Sequence, residues 1–99
     1  MNFAQYQTED RRLVILRLLK DATEYTANEF LLQQILPDIG HGVSQDVLRN
    51  DLQWLHEQQL VNTEQVQDMY ITKLFTRGLD VAEGRATCIG VKKPMPGSS

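Results

Sequence analysis

Between Ser44 and Val61 the chain reads SQDVLRNDLQWLHEQQLV, and several of its polar side chains are of the kind that read the edge of a nucleic-acid base. An arginine pairs bidentately with guanine and an asparagine or glutamine with adenine, each good contact discriminating by about 1–3 kcal/mol. Gln45, Arg49, Asn50 and Gln53 supply these groups, while Leu48, Leu52 and Leu55 recur at helical spacing and turn the polar residues to the opposite side. Ser44 stands where it caps the helix, and the free amides behind it can meet a phosphate. Asp46 and Asp51 oppose that chemistry, since carboxylates beside phosphates are repelled. Asp46 also complements its own helix dipole, and Asp51 is placed to pair with a cation elsewhere in the fold.

Other chemistry is thinly represented. His41 and His56 have no third ligand spaced to join them. Cys88 is the single cysteine, which excludes an internal disulfide and suits a small apolar filler. No nucleophile–base pair, G-x-S-x-G elbow or phosphate-binding glycine loop is present. The expectation is a chain that is not an enzyme and needs no metal or cofactor.

The net charge of −3 conceals an asymmetry along the chain. Residues 1–25 balance at zero, residues 26–68 sum to −6 with Arg49 as their one cation, and residues 69–99 sum to +3. Any basic footprint is therefore C-terminal, where Lys73, Arg77, Lys92 and Lys93 can contact a phosphate backbone.

A chain of 99 residues, 41 % hydrophobic, suits one domain with one modest core, assigned to residues 1–93, with 94–99 as a disordered tail. The longest apolar run, Leu13 to Leu16, falls far short of the roughly 20 residues that span a bilayer. The start, MNFAQYQTEDRR, has neither the basic nor the apolar part of a secretory signal, so the cytoplasm is the expected location.

The elements that must position the polar row follow from periodicity and caps. Thr8 is the expected cap of a first helix whose apolar residues cover more than one stripe, as in a central helix. Thr26 and Glu29 have the spacing of a capping box, with Tyr25 and Phe30 as a hydrophobic staple and Phe30, Leu31, Leu32, Ile35 and Leu36 inward. Pro37, Gly40 and Gly42 stop that second helix, and Ser44 opens the third. VNTEQV and MYITKLF then read as a hairpin turning at Gln67 and Asp68. Thr76 is the expected cap of a short closing helix, and Ile89 to Lys93 form an extended arm. Trp54 is expected to fill the junction of third helix and hairpin.

Helix, helix, helix, two-stranded wing and short helix is the order of a winged helix-turn-helix domain, a mainly α fold with a β-hairpin. L-R-N-D-L-Q-W-L-H-E-Q-Q-L-V resembles the recognition-helix pattern of winged-helix regulators of the ArsR and MarR type, and T-R-G-L-D-V-A is similar to the segment after their wing. RATCIGVKKP following GLDVAEG resembles small winged-helix proteins of Mu-like prophages. The metal-sensing patterns DxCH and CxC are absent, which disfavours a metal sensor.

The resemblance implies a DNA-binding transcriptional regulator without an identifiable small-molecule effector. Its duplex-contacting residues would be Ser44, Gln45, Arg49, Asn50, Gln53, Lys73 and Arg77. A homodimer is expected, with Phe3, Tyr6, Ile89 and Val91 across the two-fold axis. The alternative from another class is a winged helix that meets a protein, which the acidic residues 26–68 suit.

Overall fold

A computed structural model describes residues 2–95. The first helix, α1 (Phe3–Asp21), starts well before Thr8. Asn2 and Gln5 form a reciprocal capping box, the Asn2 side chain accepting from the Gln5 N–H at 2.9 Å and the Gln5 side chain from the Asn2 N–H at 3.0 Å. Thr8 lies inside the helix and donates its hydroxyl back to the Ala4 carbonyl. Further along, Leu13, Ile15, Leu16 and Leu19 are buried, so α1 is the central helix its composition predicts.

A short 3-10 turn (Thr23–Tyr25) leads not into a helix but into a strand, β1 (Thr26–Asn28). The Thr26–Glu29 capping box does not form, because Thr26 to Asn28 pair with a neighbouring strand and Asn28 caps α2 (Glu29–Ile35) by accepting from the Leu31 N–H. Leu32 and Leu36 are buried as predicted, whereas Phe30 and Leu31 face solvent. A 3-10 turn (Leu36–Ile39) ends at Gly40, and α3 (Gln45–Glu57) begins at the predicted Ser44 cap.

The hairpin is as read: β2 (Val61–Val66) and β3 (Met69–Leu74) pair antiparallel across Gln67 and Asp68, Val61 opposite Leu74 and Val66 opposite Met69. β1 adds a third strand on the other side of β3, giving the order β1-β3-β2. The expected two-stranded wing is thus part of a three-stranded antiparallel sheet, and the whole is a small mixed α/β domain in which four helices outweigh the strands. Alternation turns Val61, Thr63, Thr72 and Leu74 toward the helices. The Thr63 and Thr72 hydroxyls lie 3.1 Å apart, and Thr63 also reaches the Leu52 carbonyl, so these inward polar groups are satisfied.

α4 (Thr76–Ala82) starts one residue earlier than predicted: Phe75, not Thr76, occupies the cap position and makes no side-chain cap. The segment after α4 is not extended. It turns at Cys88 to Val91, closed by the Val91 N–H on the Cys88 carbonyl, and returns to α1 through the Lys92 N–H on the Glu9 carbonyl. Val91 and Cys88 are buried there. Arg12 fixes the turn, its guanidinium 3.9 Å from the Trp54 ring centroid and donating to the Gly90 carbonyl at 3.0 Å. Trp54 therefore fills the junction of α3, α1 and the arm, not that of helix and hairpin. Of the predicted tail 94–99, residues 96–99 lie outside the described residues. Among the described residues no helix is long and apolar enough to cross a membrane.

Candidate binding face of the third helix and hairpin

The Ser44 hydroxyl accepts from the Val47 N–H and sets the phase of α3. In that phase Leu48, Leu52 and Leu55 are fully buried, and Ser44, Asp46, Asn50, Gln53 and Glu57 are exposed. Asp51 points inward and meets two cations from α1: Arg11 Nε at 2.5 Å and Arg12 Nε at 3.3 Å. The cation predicted for Asp51 is thus supplied by α1, and Asp51 does not burden the outer face.

Gln45 and Arg49 are only half-exposed because both turn toward the first residue of α2. Glu29, fully buried, accepts from Arg49 Nε and Nη2 at 2.9–3.1 Å, from the Gln45 amide at 2.5 Å and from the Tyr70 backbone N–H at 2.9 Å. Arg49 continues to the hairpin, donating to the Asp68 carbonyl at 2.5 Å with its guanidinium 4.4 Å from the Tyr70 ring centroid. One arginine therefore links α2, α3 and the hairpin turn. Burial alone would push the Glu29 carboxyl up, but the hydrogen bonds from Arg49, Tyr70 and Gln45 outweigh it and hold it below its ordinary value of 4.5. The same ion pair raises Arg49 above its own ordinary value.

The remaining predicted residues do not converge on this face. Lys73 lies on the outer face of the sheet, between Thr26 and Asn62. Arg77 is at the start of α4 and donates to the Gln58 carbonyl beyond the far end of α3. Lys92, on the arm, pairs with Asp10 at 3.3 Å. The histidines serve as hydrogen-bonding groups: His41 Nε2 lies 2.6 Å from Asp10, and His56 Nδ1 accepts from the Thr63 N–H at the free edge of β2. Among the described residues no three His, Cys, Asp or Glu side chains cluster as metal ligands would. Of the four residues predicted at a dimer surface, Phe3, Tyr6 and Ile89 are exposed, and Val91 is corrected to the chain's own core, 7 % exposed.

Glu29, Tyr70 and the Asp68 carbonyl were not predicted as parts of this face. A signal existed: Arg49 is the only cation across residues 26–68, and a lone arginine among seven carboxylates has many available partners.

No family model and no solved structure matches the chain. Among its relatives is uncharacterized protein gp26 of Escherichia phage Mu, 55 % identical over 89 residues that cover 90 % of this chain and 92 % of the relative. An uncharacterized protein of Haemophilus influenzae is 36 % identical over 96 residues, 97 % of this chain and 93 % of that one. With such identity sustained over nearly the whole of both sequences, the chain belongs to the family of the phage Mu protein gp26.

Proposed function

We propose that this chain is a winged helix-turn-helix domain in which α3 and the β2–β3 hairpin present one face, and that the partner of this face is a protein. The order of helices and strands, the tight connection between α2 and α3, and the placement of β3 between β1 and β2 support the architecture. One observation carries the choice of partner. Arg49, the only cation on α3, is engaged by Glu29, and the exposed row that remains is Asp46, Asn50, Gln53 and Glu57. The hairpin turn adds Asp68. Affinity for duplex DNA comes largely from cations that neutralise phosphates, each adding about 0.9 to the logarithmic salt slope, and this row supplies none.

The second reading is the duplex-binding transcriptional regulator, and a specific feature favours it. Asn50 and Gln53 are exposed amides on a helix whose Ser44 start is open, the arrangement for reading adenine in a major groove. Titration of a labelled non-specific duplex at about 50 and about 200 mM salt separates the two readings. The protein-partner reading expects little binding at either salt, and duplex binding that appears only when Asp46→Lys and Glu57→Lys are introduced together. Tight binding by the native chain that falls steeply with salt would overturn it in favour of the regulator.

A further inference from the structure

A surface away from α3 carries an inference that stands whatever the α3 face binds. From Asn2 to Gln7, α1 is exposed on every side, yet the capping box of Asn2 and Gln5 holds this projecting end helical. Phe3, Tyr6, Gln7 and Asp10 fall at i, i+3, i+4 and i+7 and line one side of a groove of about 570 Å³. The other side is the returning arm, with Val91 and Met95 among its residues. Phe3 is 74 % exposed, Tyr6 60 % and Met95 61 %. A projecting helical end with an apolar stripe is marginal in water unless that stripe is covered.

We infer that the groove seats the projecting end of α1 from a second copy of this chain, each copy's Phe3 and Tyr6 lying in the other's groove. The charges of the rim favour this occupant. Among the described residues Glu9, on the helical side, and Lys93, on the arm, have no opposite charge paired with them inside the chain, and both line the groove. When α1 of one copy lies in the groove of the other, Glu9 comes alongside the partner's Lys93, and two-fold symmetry repeats the contact in reverse. A partner of one sign would satisfy only half of this rim. The occupant is therefore self-complementary in charge. Aromatic side chains bury about 150–250 Å² each, so Phe3 and Tyr6 from two copies contribute at most about 600–1,000 Å², half of the roughly 1,200–2,000 Å² of a standard interface. A reversible dimer of micromolar strength is the expected product.

Sedimentation velocity of the full chain from about 5 to about 500 μM tests this, a range that brackets a micromolar Kd. The expected result is a concentration-dependent shift from monomer to dimer. Phe3→Ser with Tyr6→Ser, both on the exposed end, should weaken the dimer at least tenfold and leave thermal unfolding of the monomer unchanged. Lys93→Glu should weaken it too, and adding Glu9→Lys to that variant should restore it. A chain that stays monomeric at every concentration, or a dimer unmoved by the aromatic pair, overturns the inference. Dimerisation that responds to the aromatics but not to the charge swap overturns the reciprocal geometry.

Discussion

Removing Arg49 and removing Glu29 should have unequal costs, because only one of the two is out of reach of water. Breaking a buried ion pair by deleting one partner costs about 3–5 kcal/mol, most of it from the charge left behind. Arg49→Ala leaves a Glu29 carboxylate with no exposure, but the arginine side chain is itself 27 % exposed, so water can enter where it was. With that discount the cost at pH 7 is about 2–3 kcal/mol. Glu29→Gln leaves Arg49, which can turn to solvent, and keeps one acceptor oxygen, enough for the Tyr70 N–H or the Gln45 amide but not for both; about 1–2 kcal/mol is expected.

The pH dependence separates the variants further. In the native chain Glu29 is held below 4.5, so its contribution is present above that pH and is lost as pH falls through the folded-state value. In Arg49→Ala the hydrogen bonds and charge of Arg49 no longer lower Glu29, so its folded-state value rises toward the unfolded one and the loss of stability on acidification is smaller than in the native chain. Urea unfolding followed by far-ultraviolet circular dichroism at several pH values reads both slopes. Equal costs for the two single variants, or an Arg49→Ala profile parallel to the native one, would refute the assignment of Glu29 as a buried charge held by Arg49.

Two glycines give predictions of a different kind. A Cβ on Gly78 would lie 2.1 Å from the Leu60 carbonyl oxygen, so Gly78→Ala should lower stability by about 1–3 kcal/mol despite the helix propensity alanine adds, a shift readable as a lower melting temperature. Gly90 has φ +100°, and a Cβ there would lie 2.6 Å from the Trp54 ring; Gly90→Ala should loosen the arm and raise the rate at which a thiol reagent modifies the buried Cys88. Arg12→Leu, which removes the donor to the Gly90 carbonyl, should raise that rate as well while α3 stays folded. Unchanged thiol reactivity in both variants would contradict the part assigned to Arg12 in holding the turn.

The parts of the fold legible in the sequence are those fixed by local chemistry. Ser44 with the stripe Leu48, Leu52 and Leu55 gave α3 its start and phase, and the β-branched runs around Gln67 and Asp68 gave the hairpin its register. β1 was not legible, because Thr26 to Asn28 is too short to alternate and its identity depends on β3, far along the chain. The same long-range pairing overrode the capping-box pattern of Thr26 and Glu29, and this released the Glu29 carboxylate to meet Arg49. At the candidate site the exposed row of α3 could be read from periodicity, but the engagement of Arg49 could not, since its partners come from α2 and the hairpin.

The acidity of the outward side of α3 has a physical account in these pairings. Each charge of α3 that could neutralise or cancel another has been drawn to the inner side. Asp51 holds Arg11 and Arg12 of the central helix, and Arg49 holds Glu29. Both pairs join α3 to a different element, so they fix how the helix lies on the domain rather than what it offers outside. The outward side then keeps only the carboxylates and amides that no internal partner claimed. If Arg49 were free, the exposed row would hold a guanine-reading group next to Asn50, and duplex DNA would be the better partner. Because it is held between Glu29 and the Asp68 carbonyl, contact with phosphate must compete against a buried carboxylate that accepts three of its hydrogen bonds. Releasing Arg49 would leave that carboxylate uncompensated, and this cost falls on every duplex complex that uses it and on no complex that does not.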